Sequence, residues 1–124
     1  MKEMFKPIEH NGKSYNIVFN LNVMEIIQDE YGTLEKWGEL TDGKAVDPET
    51  GKEKEVDIKA LLFGFREMLN EGIEIENEKN GTNEPLLTRK QVGRIITDIG
   101  LENATEALNS LVVESTENGD SKNA

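Results

Sequence analysis

The most apolar stretch of the 124-residue chain reads Asp57-Ile58-Lys59-Ala60-Leu61-Leu62-Phe63-Gly64-Phe65-Arg66-Glu67-Met68-Leu69. Apolar side chains recur in it at three- and four-residue spacing, at Ile58, Leu61, Leu62, Phe65, Met68 and Leu69. This period predicts a central helix, capped by Asp57, with those residues on its buried face. Phe63 lies off the stripe, which indicates burial on more than one side. Gly64 costs about 1 kcal/mol relative to Ala in a helix interior, so we expect another element to approach closely there.

Upstream of this helix, residues 1–20 predict a β-hairpin. Apolar residues alternate with polar ones on both sides of the dipeptide Asn11-Gly12. That dipeptide is the strongest short signal for a hairpin, because a type I′ turn needs positive φ at both central residues. Since a lone hairpin is marginally stable in water, we expect its apolar face to pack on the helices.

Residues 21–113 are expected to form a helical domain with exposed loops at 41–56 and 74–85. Helix starts are predicted at four polar caps, with Gln91 completing a capping box at the last: Asn20 or Asn22, Thr33, Asp57 and Thr88. Helix ends are predicted at three glycines, Gly32, Gly72 and Gly100. Within the first loop, Thr50-Gly51 suggests a weak hairpin. A last helix starts at about Glu102, and residues 114–124, which lack apolar side chains before Ala124, are predicted to be a disordered tail. The fold class that follows is mainly α with an N-terminal β-hairpin, a bundle of four to five short helices.

Composition narrows the functional classes. The chain carries 14 Lys+Arg against 25 Asp+Glu, a net charge of −11, and has no cysteine. Such a charge repels nucleic-acid phosphate and anionic lipid, so we expect neither as a partner and expect a protein instead. No apolar run approaches the ~20 residues of a membrane-spanning helix. The N-terminus lacks the apolar region of a signal peptide, which indicates a cytoplasmic protein.

Motifs for catalysis or cofactor binding are not found in the sequence. The single histidine, His10, is expected to be an exposed turn residue without a partner. Phosphate-binding loops and a hydrolase nucleophile elbow are missing, and the acidic loop with Asp42, Asp47 and Glu53 fails the calcium-loop spacing. We therefore expect no catalytic residue, no cofactor and no metal. An alternative hypothesis to solvation alone is an acidic patch that binds a basic partner, formed by Glu71, Glu74, Glu76 and Glu78.

A surface for a protein partner is the remaining expectation. Small helical bundles often leave an apolar groove that accepts a partner helix. Met24 and Phe63 lie off the main core stripes, and methionine and aromatic side chains adapt well to binding surfaces. We predict these two residues as exposed partner contacts.

The order of these parts resembles the tail assembly chaperones of long-tailed bacteriophages and prophages, especially those of Gram-positive hosts. The resemblance covers roughly residues 8–112. It rests on the hairpin with its Asn-Gly turn, on Tyr15-Asn16-Ile17-Val18-Phe19-Asn20-Leu21-Asn22-Val23-Met24-Glu25-Ile26-Ile27, on the Tyr31-Gly32 break, on the segment from Asp57 to Leu69 with its Leu-Leu-Phe-Gly-Phe run, and on Leu87-Thr88-Arg89-Lys90-Gln91-Val92-Gly93-Arg94-Ile95-Ile96.

The resemblance implies a small, acidic, non-enzymatic chaperone. Such a protein binds the tape measure protein and keeps that long helical chain soluble in the host cytoplasm until tail tube subunits polymerise around it. The tail tube protein is a further partner, and the chaperone is absent from the mature virion. The alternative is a structural virion component, a tail tube or head–tail joining subunit, although tail tube subunits are dominated by β-sandwich strands. The oligomeric state stays open.

Overall fold

The computed structural model of the chain describes residues 5–42 and 46–121. In those residues an antiparallel hairpin precedes five helices, which confirms the predicted fold class. The elements are β1 (Phe5–His10), β2 (Lys13–Val18), α1 (Leu21–Tyr31), α2 (Leu34–Thr41), α3 (Ile58–Asn80), α4 (Arg89–Ile99) and α5 (Leu101–Ser121).

The hairpin turns at the predicted dipeptide. Asn11 and Gly12 both have positive φ, 52° and 76°, and the register pairs His10 with Lys13 and Ile8 with Tyr15. In this register the outer edge of β2 faces α3, and the Asn16 carbonyl lies against Gly72. The sheet therefore packs on the central helix, as expected of a hairpin that is unstable alone.

Helix α3 is longer than the sequence predicts. It continues through Gly72 to Asn80, so the predicted helix end at Gly72 is wrong, and residues 74–80 of the predicted 74–85 loop are helical. The reason is that Gly72 serves tertiary packing: a Cβ there would overlap the Asn16 carbonyl. The helix ends instead at Gly81, which has left-handed backbone, φ 65° and ψ 33°.

The core gathers around the single tryptophan. Trp37 is fully buried, its Nε1–H donates to the Ala60 carbonyl at 3.0 Å, and its ring stacks on Phe19 with centroids 6.3 Å apart. A Cβ on Gly64 would overlap the indole, which confirms the close approach expected at that glycine. The segment between β2 and α1 thus meets α2 and α3 at one point.

Capping at the helix starts follows the sequence signals. Four side chains accept a hydrogen bond from a backbone N–H in the first turn: Asn20, Thr33, Asp57 and Thr88. Gln91 completes the capping box by accepting from the Thr88 N–H at 2.8 Å. Gly32 and Gly100 follow the ends of α1 and α4, as predicted. These signals work because every partner lies within four residues of the cap.

The two polar segments have more structure than expected. Thr41 belongs to α2, and Val46 bridges Glu53 around Gly51, φ 71°, which confirms the weak hairpin in the first loop. Helix α5 continues to Ser121, so residues 114–121 of the predicted tail are helical; residues 122–124 lie outside the described part. A helix already formed adds one hydrogen bond for each further residue, so it can extend without apolar side chains. No helix in the described residues combines the length and hydropathy that crossing a bilayer demands.

Candidate partner-binding groove

The two residues predicted as exposed partner contacts are not exposed. Met24 and Phe63 are half-buried and pack against the core, and the Phe63 ring meets Tyr31 edge-on with centroids 5.5 Å apart. The expected exposure of Phe63 was wrong because α3 has neighbours on several sides, so a residue off its main stripe still faces another helix. Polar substitutions at these positions would disturb packing, and they cannot test binding alone.

Large apolar side chains are exposed elsewhere. In the described part of the chain they are Leu21, Ile26, Val46, Ile58, Leu86 and Leu101. Ile58 was expected to face the core, yet it is 50% exposed. Leu21, Ile58 and Leu101 share a position, since each is the first residue of a helix. At a helix start the apolar stripe can run past the neighbouring elements that would cover it.

Ile58 and Leu101 meet in one groove where α3, α4 and α5 converge. We call it the apolar groove; it is lined by Ile58, Leu61, Leu62, Gly93, Ile96, Thr97 and Leu101. The Thr97 hydroxyl donates to the Gly93 carbonyl at 2.8 Å, so this polar group is already satisfied. Gly93 has no side chain to fill the floor. The groove has a volume of ≈ 320 Å³, at the small end for a ligand site, and is better suited to a few apolar side chains of a partner.

A second depression begins on the other side of Leu101. We call it the acidic cleft; it is lined by Glu53, Val56, Leu101, Glu102, Thr105, Glu106 and Asn109. The three glutamates are exposed, whereas Thr105 is buried. Its hydroxyl donates a hydrogen bond to the Glu102 carbonyl at 3.0 Å. Because Leu101 belongs to both depressions, the apolar groove and the acidic cleft form one continuous surface.

The charge of the cleft has no counterpart within the described part of the chain. There, ion pairs join His10 to Asp98 and Lys13 to Glu84 and no others, so no cation lies at ion-pair distance from Glu53, Glu102 or Glu106. Glu102 and Glu106 are one helical turn apart, an arrangement of like charges that mildly destabilises a helix. This surface combines uncovered apolar side chains with unneutralised negative charge.

The single histidine has a partner that the sequence did not reveal. The His10 side chain is 14% exposed, and its Nε2 lies 2.5 Å from the Asp98 carboxylate on α4. The expectation of an exposed, unpartnered residue was wrong because Asp98 is 88 positions away. The contact ties the end of the hairpin to α4. In the described residues, no three His, Cys, Asp or Glu side chains are grouped so as to hold a metal ion.

The alternative acidic patch on α3 is partly used within the fold. The Glu71 carboxylate accepts hydrogen bonds from Asn20 Nδ2 at 2.6 Å and Asn22 Nδ2 at 2.9 Å, which fix the start of α1 against α3. Burial, followed by the nearby Glu74 and Glu71 carboxylates, raises the pKa of Glu67 despite the opposing charge of Arg66. The patch is therefore partly structural, unlike the glutamates of the acidic cleft.

In comparisons with known proteins, the chain matches no protein family, no curated protein and no solved structure. Sequence reasoning identified Ile58 and Leu61 as apolar stripe residues, and it missed Leu101 because the last helix was expected to start at Glu102. The available signal was the spacing of Leu101 from Ala104 and Leu108, which places it on the apolar face of α5.

Proposed function

We propose that this chain is a non-enzymatic tail assembly chaperone of a long-tailed bacteriophage or prophage. It acts in the host cytoplasm, binds the tape measure protein and keeps it soluble until the tail tube polymerises. The observation that carries the proposal is the apolar groove, in which Ile58 and Leu101 remain 50% and 43% exposed on an otherwise acidic protein.

The geometry of the groove suits a helical client. Its walls come from three helices and it is open to solvent, so the apolar face of a partner helix can lie along it. A tape measure protein is long and rich in apolar helix, and its unassembled form exposes surface that aggregates. Contacts with a few apolar side chains give modest affinity, which suits a client that the tail tube must later displace.

The secondary structure and the charge also support a chaperone over a virion subunit. The described residues form one two-stranded sheet and five helices, whereas a tail tube subunit is expected to consist mainly of β-sandwich strands. A net charge of −11 keeps separate copies apart in solution, which favours a soluble holder over a subunit that polymerises.

Co-expression with the tape measure protein of the same phage or prophage tests the proposal. We expect the tape measure protein to be soluble with the wild-type chain and to precipitate with the double variant Ile58→Gln/Leu101→Gln. An interface anchor typically contributes over about 1–2 kcal/mol, which corresponds to a tenfold loss of affinity or more. Soluble tape measure protein in the absence of this chain would overturn the proposal.

The matched control is Leu21→Gln/Ile26→Gln. Both residues are exposed apolar side chains, at 67% and 39%, and neither lines the apolar groove. We expect this variant to behave as the wild type. The protein content of purified phage particles gives a second reading, because this chain in stoichiometric amounts would identify a virion subunit instead of a chaperone.

A further inference from the structure

The acidic cleft lies directly beside the apolar groove, with Leu101 in both. A partner that seats an apolar side chain against Leu101 therefore places its next residues next to Glu102 and Glu106. Glu53 approaches the same depression from the loop that precedes α3. The surface thus changes from apolar to anionic at Leu101.

We infer that the occupant of this surface is an amphipathic helix whose apolar stripe is followed, at one end, by lysine or arginine side chains. The inference rests on the proposed function, because it takes the apolar groove as the site of client capture. Charge complementarity carries it: three exposed carboxylates line the cleft, and no cationic side chain of the described residues lies at ion-pair distance from them. Cations of a partner placed in the cleft are attracted by all three carboxylates, which a single surface charge does not provide.

A second copy of this chain is the competing occupant, and its charge argues against it. Each copy carries −11, so two copies that meet through an acidic cleft repel each other. The charged end of the partner helix also sets its direction along the groove. An apolar helix without that end fits the groove in either direction, so the cleft selects among apolar helices by their flanking charge.

Two synthetic helical peptides test the inference with the full-length protein. Both have about 18 residues, or five turns, with the same leucine stripe; one ends in three lysines and the other in three glutamates. We expect the lysine peptide to bind about tenfold more tightly at low salt, because its three cations are attracted by the cleft carboxylates whereas three glutamates are repelled by them. High salt should reduce that difference.

Two charge variants separate the cleft from the overall charge. Glu53→Gln/Glu102→Gln/Glu106→Gln removes the cleft carboxylates, and Glu30→Gln/Glu35→Gln/Glu39→Gln removes three exposed carboxylates outside the cleft lining. We expect the first variant to lose the preference for lysine and the second to keep it. Equal loss in both variants, or equal binding of both peptides, overturns the inference.

The oligomeric state of the purified protein tests the competing occupant, a second copy of this chain. We expect the wild type and Ile58→Gln/Leu101→Gln to sediment as the same species. A wild-type dimer that this double variant converts to a monomer overturns the inference. If the peptide tests fail while the solubility of the tape measure protein still depends on the apolar groove, the preference for a cationic helix end is wrong and the proposed function stands. If the peptides behave as expected but the solubility of the tape measure protein does not depend on the groove, the proposed function is wrong.

Discussion

Two glycines in α3 allow close packing because they have no side chain. Gly64 makes room for the Trp37 indole, and Gly72 makes room for the Asn16 carbonyl of β2. The two neighbours differ in how they can respond, because an indole ring can shift slightly whereas a backbone carbonyl in a paired strand is held in place. The fold should therefore be more sensitive at Gly72 than ordinary helix propensity suggests.

Gly72→Ala is expected to destabilise the protein by about 1–3 kcal/mol, the usual range for overpacking. Gly38→Ala is the control, because Gly38 lies in α2 and a Cβ added there would have nothing within 4 Å. Helix propensity there predicts stabilisation by about 0.5–1 kcal/mol. Urea unfolding of both variants measures the difference, and a neutral Gly72→Ala would mean that β2 does not pack on α3 as described.

Glu67 gives a pH-dependent prediction. Burial raises its pKa in the folded protein, so the fold favours the protonated carboxyl. Its contribution to stability is fully present below the unfolded-state pKa of about 4.3 and is lost as the pH rises through the folded-state pKa. Glu67→Gln should therefore raise the Tm at pH 7 and have little effect below that unfolded-state pKa. Thermal unfolding at both pH values measures this, with the exposed Glu78→Gln as control; a lower Tm for Glu67→Gln at pH 7 would contradict it.

At the scale of elements, α3 organises the molecule because it contacts β2, α1, α2 and α4. Its neighbours leave one side open at the first two turns. The sequence stripe predicts the same burial for Leu61 and Leu62, but Leu61 is fully buried and Leu62 is half-buried at the apolar groove. The difference follows from where α4 lies relative to α3, which the apolar spacing does not encode.

Leu61→Asp and Leu62→Asp should therefore behave differently. An unpaired buried carboxylate costs several kcal/mol, against roughly 5–15 kcal/mol for a whole domain. We expect Leu61→Asp to be largely unfolded and Leu62→Asp to remain folded with a weakened groove. Circular dichroism and thermal melts of the two variants measure this. Equal unfolding of both would show that Leu62 is core, as the stripe predicts.

At the scale of the whole molecule, hairpin and helices share one core. Ile8, Ile17 and Phe19 belong to the same buried cluster as residues of all five helices. Only 35% of the residues are hydrophobic, so the chain has little apolar surface from which to build two separate cores. Folding of the hairpin and of the helices is therefore coupled.

This coupling predicts a single unfolding transition. Trp37 is the one tryptophan of the chain, and it contacts Phe19 beyond the hairpin and Ala60 on α3. Its fluorescence and the helical circular dichroism should give the same urea midpoint and slope. A fluorescence transition at lower urea would show that the region around Trp37 opens before the bundle unfolds.

The local structure of this protein follows from residues that are close together in the sequence. The Asn11-Gly12 turn, the caps at Asn20, Thr33 and Asp57, and the helical period of α3 all depend on residues a few positions apart. Propensity, capping and backbone sterics act over that range, so those predictions are confirmed. The same local reasoning failed where a partner is distant. Gly72 was expected to end a helix, and the chain gives no local sign that β2 would lie against it.

The packing of the elements against one another sets which apolar side chains are covered. Met24 and Phe63 were predicted to be exposed and are half-buried, whereas Ile58 was assigned to the core and is half exposed. The His10 side chain likewise contacts the Asp98 carboxylate, 88 positions away in the sequence. Periodicity states that a helix face is apolar, but the angle and length of its neighbours determine how far that face is covered. The apolar groove exists because Ile58 and Leu101 stay about half exposed where α3, α4 and α5 converge.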